Sequence, residues 1–220
     1  MIATNIKTIL SDFPAEKSIT LVAVSKTKPS TVILEAFEAG QRHFGENYVQ
    51  ELIQKAHELP KDIKWHLIGH LQSNKALSLV RDVPNLYMVE TVDSLKIADH
   101  LQSACFKASR STQLKVLVEV ATSTEESKTG VNVNSAVDLV KHIIANCSKL
   151  DFCGLMTVAD PERPKDCFKH LADLRDVIST EISVSPESLC LSMGMSGDWK
   201  EAVNCGSTEI RVGSAIFGSR

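Results

Sequence analysis

The chain lacks a dominant charge, a long apolar run and any closely spaced pair of cysteines. Lys plus Arg number 24 and Asp plus Glu number 27, a net charge of −3 over 220 residues. So balanced a chain carries no electrostatic signature of nucleic-acid or anionic-membrane binding. No apolar stretch approaches the roughly 20 residues of a membrane span. The opening segment interleaves Ile2, Ile6, Ile9 and Leu10 with Asn5, Lys7 and Asp12, which is helical spacing and not the unbroken core of a secretory signal. The six cysteines (Cys105, Cys147, Cys153, Cys167, Cys190 and Cys205) fall at irregular intervals with no C-x-x-C pair. That pattern reads as reduced thiols of a cytoplasmic protein, neither a disulfide framework nor a zinc site.

Common catalytic signatures are missing too. There is no Walker loop, no G-x-G-x-x-G and no H-E-x-x-H. Ser25 to Lys28 fits S-x-x-K and Lys128-Thr129-Gly130 fits K-T-G, but Ser25 ends a strand-like run and no S-D-N lies between them. Gly194-Met195-Ser196-Gly197 falls one residue short of a nucleophile elbow. His66 and His70 are spaced for one face of a strand; without further ligand types beside them, a hydrogen-bonded core or site-lining role suits them better than a metal. Glu125 and Glu126 read as a solvated loop tip.

What is present is a core and a rhythm. Apolar residues make up 43% of the chain, enough for a sizeable single domain over residues 1–220. Short β-branched runs alternate with helix-like segments. The strands expected are Ile19 to Ser25, a short one at His43–Phe44, Lys64 to Gly69, Leu86 to Val89, Leu114 to Val120, Phe152 to Val158, Leu189 to Met193 and Glu209 to Gly213. Helices are expected at Thr31–Ala39, Asn47–Leu59, Ser73–Val80, from an Asp93 cap to Ala108, and at Ser135–Asn146, Pro164–Thr180 and Asp198–Val203. Eight such alternations predict a closed parallel (β/α)8 barrel of the TIM type, with a doubly wound sheet as the alternative. Little chain remains for a helix after strand eight, so the N-terminal helix is expected to fill that gap in the outer ring.

In such barrels the site lies at the C-terminal ends of the strands. Lys26 follows the run LVAVS there. An amine partly withdrawn from water loses some preference for its charged form, as Schiff-base chemistry requires; the alternative is a solvated lysine beginning a loop. Lys28, before Pro29, is expected to face solvent. Strand seven runs into Ser192-Met193-Gly194-Met195-Ser196-Gly197, and strand eight into Arg211-Val212-Gly213-Ser214. Loops in these two places commonly cradle phosphate, through backbone N–H groups and hydroxyls; the alternative is a pair of ordinary Gly/Ser turns. A lysine after strand one facing a phosphate cup after strands seven and eight describes a pyridoxal phosphate site. Arg211 would then reach toward the pyridine nitrogen, or else pair with Glu209 or a helix carboxylate.

The stretches AVSKTKP (23–29), FGENYVQE (44–51), WHLIGHLQSNK (65–75), TSTEESKTG (122–130), GLMTVAD (154–160), LSMGMSGDW (191–199) and RVGSAIFG (211–218) resemble the pyridoxal phosphate homeostasis protein family, which looks like the N-terminal barrel of alanine racemase standing alone. The resemblance implies that Lys26 holds pyridoxal phosphate as an internal aldimine and that Arg211 approaches the ring nitrogen. It places Ser192, Ser196, Gly213 and Ser214 around the phosphate and Asn47 along the ring pocket. Ser214 stands where family members usually carry Thr.

Two activities are then in view: reversible storage and delivery of the cofactor to pyridoxal-phosphate-dependent apoenzymes, and slow racemisation of amino acids. Racemases of this type need a second base, a tyrosine supplied with help from a further domain. The chain's two tyrosines are Tyr48 and Tyr87, and it ends at Arg220 without such a domain. Storage in a monomer is the expected role, with amino acids as possible ligands. A Schiff-base aldolase without cofactor is the weaker alternative.

Overall fold

The computed structural model describes residues 1–123 and 129–218. Glu125, Glu126 and Lys128 lie outside the described residues, and with them the loop-tip expectation and the first residue of K-T-G.

Eight parallel strands close into a barrel: β1 (Thr20–Val24), β2 (His43–Glu46), β3 (Lys64–Leu67), β4 (Leu86–Val92), β5 (Leu114–Ala121), β7 (Leu150–Met156), β8 (Cys190–Ser192) and β9 (Glu209–Val212). The sheet runs β4-β3-β2-β1-β9-β8-β7-β5, and β4 pairs with β5 to complete the ring. That closing pair excludes the doubly wound alternative. A two-residue strand, β6 (Val131–Asn132), extends the end of β5. It is too short to leave an alternation in the sequence.

The helices are α1 (Ile2–Ser11), α2 (Ser30–Glu38), α3 (Val49–Glu58), α4 (Ala76–Asp82), α5 (Leu95–Lys107), α6 (Val133–Asn146), α7 (Pro164–Glu181), α8 (Trp199–Asn204) and α9 (Ser214–Phe217). Local chemistry sets several of their starts. Asn132 accepts from the Ser135 amide at 2.9 Å to cap α6, and Pro164 opens α7, where its missing N–H costs nothing. The cap of α5 is Ser94 and not Asp93, whose carboxylate instead accepts from the Ser94 hydroxyl.

The chain after β9 does form one helical turn, α9, and α1 lies against it. Asn5 Nδ2 donates to Ile216 O at 3.0 Å, tying the two ends of the described chain together. Among the described residues, no helix is long and apolar enough to cross a membrane.

Side chains alternate across each strand. Ile210 and Val212 of β9 face the helices and join the main core, whereas Glu209 and Arg211 face into the barrel. The barrel interior holds an apolar cluster and a set of buried polar groups side by side. Met88, Leu117 and Met156 pack together as the apolar cluster. Beside them lies a polar layer of His66, Glu90, Ser192, Glu209 and Arg211, all buried. His70 does not share a strand with His66: β3 ends at Leu67, and His70 sits half-exposed beside Asp93 at 3.2 Å.

Candidate active site at the C-terminal mouth of the barrel

A cleft of about 510 Å³ opens at the C-terminal ends of the strands, within the range of small-molecule sites. Lys26, Asn47, Ser196, Arg211, Gly213 and Ser214 all line it, with Val24, Ile68, Val158 and Met195 as apolar walls. Among the described lining residues there is no Asp, Glu, His or Tyr. Ammonium, guanidinium, hydroxyl and backbone N–H groups make a donor set suited to an anion.

Lys26 is held by what flanks it. Lys28 N donates to Ser25 O at 3.0 Å, closing a tight turn whose third residue, Thr27, has φ 63°. Gly or Asn usually occupies such a left-handed position, so this turn is kept by its surroundings. Buried Lys55 supplies them: Nζ donates to Ser25 O at 2.8 Å, Glu46 Oε1 at 2.8 Å and Glu51 Oε1 at 2.7 Å. Glu51 Oε1 in turn accepts from the Thr27 amide at 2.6 Å, and Glu46 Oε1 from the Ser25 hydroxyl at 2.6 Å. Burial raises the Glu46 carboxyl above its usual range, against the pull of Lys55.

The same turn corrects the expectation for Lys28. It swings the chain back over the mouth, so Lys28 is half-buried and lines the cleft, its Nζ 3.3 Å from Gly218 O and 3.4 Å from Phe217 O.

Ser196 Oγ accepts from the amides of Gly213 at 3.2 Å and Ala215 at 3.4 Å, joining the β8 and β9 loops into one donor-lined wall. A Cβ on Gly213 would stand 3.3 Å from Val24 O and Val24 Cβ, so glycine lets this wall approach β1 closely. Gly69 does the same for Asn47, whose carbonyl oxygen lies 2.2 Å from where a Gly69 Cβ would be.

Ser192 does not reach the cleft. It is fully buried inside the barrel, where it donates to Glu90 Oε2 and accepts from Arg211 Nη1, each at 2.6 Å. Arg211 also donates through Nη2 to Thr157 O at 2.7 Å, and its nearest carboxylate is Glu90 Oε2 at 3.9 Å rather than Glu209. Below, His66 Nδ1 meets Glu90 Oε1 at 2.7 Å and His66 Nε2 meets His43 Nδ1 at 2.9 Å.

Burial, then the neighbouring His66 and Lys64, hold the His43 imidazole down to about 3. A histidine kept neutral in the fold but not in the unfolded chain removes stability as pH falls from 6.5 toward 3. With allowance for the solvent that reaches the ring, about 1–2 kcal/mol is expected to go by pH 5. Urea unfolding of wild type and His43→Asn at pH 7 and pH 5 checks this: the wild type loses more over that interval, and parallel losses would show that His43 is not the cause.

Sequence reasoning missed Lys28, Lys55 and Glu90. For Glu90 the signal was there: a lone acid inside the apolar run of β4 must have a buried partner.

The alanine racemase N-terminal domain model matches residues 1–220. Human pyridoxal phosphate homeostasis protein is 46% identical over 210 residues, covering 91% of this chain and 76% of that protein. The homologue of the same description from Schizosaccharomyces pombe is 41% identical over 209 residues, covering 93% and 85%. Among solved structures, PipY of Synechococcus elongatus with pyridoxal phosphate bound superposes with a TM-score of 0.84 at 32% identity, over 99% of this chain and 100% of that one. A Clostridium difficile alanine racemase shares the fold at 14% identity and a TM-score of 0.73, over 100% of this chain and 56% of that one.

Proposed function

Since the chain belongs to the pyridoxal phosphate homeostasis protein family, we propose that it binds pyridoxal phosphate in the upper cleft, holds it covalently on Lys26 and surrenders it to apoenzymes that need it. The observation that carries this reading is the meeting of two half-buried lysines, Lys26 and Lys28, and one hydroxyl- and amide-lined wall in a single cleft free of carboxylates among its described residues.

The cofactor supplies an aldehyde, which condenses with a primary amine as a C=N bond forms and water leaves, and an aromatic ring that absorbs visible light. Lys26 offers the amine. Ser196, Ser214 and the backbone of Gly197 offer donors to the phosphate oxygens, with Gly213, its amide held by Ser196 Oγ, lining the same wall, while Lys28 and Arg211 add positive charge. Asn47 and Ile68 wall the ring. Arg211 has donors and no acceptor, so it leaves the ring nitrogen unprotonated, which suits storage better than carbanion chemistry.

The two-base requirement of racemisation also favours storage. Tyr48 is 61% exposed and does not line the cleft, and Tyr87 lies at the opposite face, in a cavity with His43 and Glu209. The test mixes cofactor-loaded protein with a pyridoxal-phosphate-dependent apoenzyme and follows the activity recovered. Recovery is expected, with no change in the chirality of added amino acids. Retention of the cofactor together with fast racemisation would overturn the reading.

Ser196→Ala removes the hydroxyl that joins the two loops. About a tenfold faster release is expected, equivalent to about 1.4 kcal/mol, with covalent attachment to Lys26 intact. Unchanged release would place the phosphate elsewhere.

A further inference from the structure

The barrel interior holds more ionisable groups than the cleft chemistry uses. Arg211 is only 4% exposed, and a guanidinium so placed needs a compensating charge. Glu90, fully buried on β4 across the barrel interior, lies 3.9 Å away with Ser192 as the bridge. An ionised carboxylate can only accept, so the Ser192 proton goes to Glu90 Oε2 and its lone pair receives Arg211 Nη1–H. The other oxygen, Oε1, meets His66 Nδ1 at 2.7 Å, and His66 Nε2 meets His43 Nδ1 at 2.9 Å. Both oxygens of Glu90 are thereby engaged, and a chain of hydrogen bonds runs from the cleft to the lower cavity lined by His43 and Glu209.

Glu209 is the other half of the count. It is 3% exposed, its Oε1 has no hydrogen-bond partner, and it lies 4.0 Å from His66 Nδ1. Two ionised carboxylates here would face one permanent cation, Arg211. The remaining groups facing the pair are Cys190 on β8 and, toward Arg211, Glu119 on β5. Although His66, Glu90 and Glu209 have ligand atoms near enough for a metal ion, the 2.7 Å His66–Glu90 hydrogen bond and the neighbouring guanidinium already fill that role.

We infer that Glu90 is a positioning residue for the cofactor cleft: as the one ionised carboxylate of the pair it fixes the Arg211 guanidinium through Ser192, while Glu209 stays neutral beside it. Burial, then the Glu90 charge, pushes Glu209 well above the carboxylate range, whereas for Glu90 the effect of burial is outweighed by His66, Arg211 and Ser192. The inference rests on the reading of the cleft given above for its cofactor arm only.

The test compares two substitutions of the same size. Glu209→Gln copies a neutral carboxyl; Glu90→Gln removes the carboxylate that, among the described residues, lies 3.9 Å from Arg211. In protein freed of cofactor, Glu209→Gln is expected to melt within about 2 °C of wild type and Glu90→Gln at least about 5 °C lower. In protein loaded with pyridoxal phosphate, Glu90→Gln moves the pH midpoint of the visible band downward, because the unbalanced guanidinium opposes a further proton nearby. It also speeds release about tenfold, whereas Glu209→Gln does neither. Glu90→Asp restores the midpoint in part. Ser192→Ala keeps the charge while breaking the bridge, and is expected to speed release with little movement of the midpoint. If Glu90→Gln does not fold, the Glu90→Asp and Ser192→Ala pair carries the test.

Equal behaviour of the two Gln variants, or a midpoint that neither Glu90 variant moves, overturns the inference. Wild type that takes up no cofactor overturns the reading of the cleft instead, and the melting arm still decides which carboxyl is charged.

Discussion

Lys26→Ala is expected to lose every trace of the covalent cofactor while keeping the fold. The contacts that shape its turn belong to its neighbours: the backbone of Ser25, Thr27 and Lys28, and the Lys55–Glu46–Glu51 cluster behind them. The side chain itself projects into the cleft, away from the core, so its truncation is expected to change stability by less than about 1 kcal/mol. Pyridoxal phosphate added to the variant would still meet Ser196, Ser214, Lys28 and Arg211. Weak, reversible uptake is therefore expected, with no adduct that borohydride can fix at position 26. Attachment that moves to Lys28 would show that the cleft accepts either amine. An adduct pattern unchanged from wild type would mean that Lys26 was never the anchor.

Lys55→Met is expected to have the largest effect on stability. Removing the ammonium strands the buried carboxylate of Glu46, and such a loss typically costs about 3–5 kcal/mol, or roughly 10 °C in Tm for a domain of this size. The sign of the pH dependence follows from Glu46. Its pKa in the fold lies above the ordinary value because of burial, so the fold favours the protonated form, and the associated stability is present at low pH and lost as pH rises through the folded value. Without Lys55 to oppose burial, that displacement grows. The gap between variant and wild type should therefore be wide at pH 8 and narrow toward pH 5. Adding Glu46→Gln to the variant should recover part of the loss at high pH. Thermal melts across this range check both points, and a gap independent of pH would show that the cost is one of packing. Because Ser25 loses a partner in the same variant, the Lys26 turn loosens and cofactor release should quicken.

These effects separate what could be read from residue order from what could not. The barrel was legible because buried parallel strands write themselves as short β-branched runs, as in TLVAV and LKVLVEVA, and because each is followed by a helical period. The position of the site followed from topology: whatever comes just after β1, β8 and β9 must meet at the mouth. Short elements escaped, since two residues at β6 and four at α9 are below any period.

Side-chain direction was the harder question. Ser192 and Ser196 look alike in the sequence, but Ser192 is the last residue of β8 and points into the barrel, whereas Ser196 lies in the loop and meets the Gly213 amide. Lys28 was expected outside because a lysine before proline usually is; the left-handed Thr27 turned it inward. The Glu90–Arg211 link joins residues far apart in the chain, and only the closed ring brings them together.

The central claim is that Lys26 carries pyridoxal phosphate. The most direct measurement is to add the cofactor to the purified protein, record the near-ultraviolet and visible spectrum, reduce with borohydride, digest, and identify the modified peptide by mass. The account predicts a visible band that borohydride removes, with the added mass on Lys26 in the AVSKTKP segment. No band after added cofactor, or a fixed adduct that maps elsewhere, would contradict it.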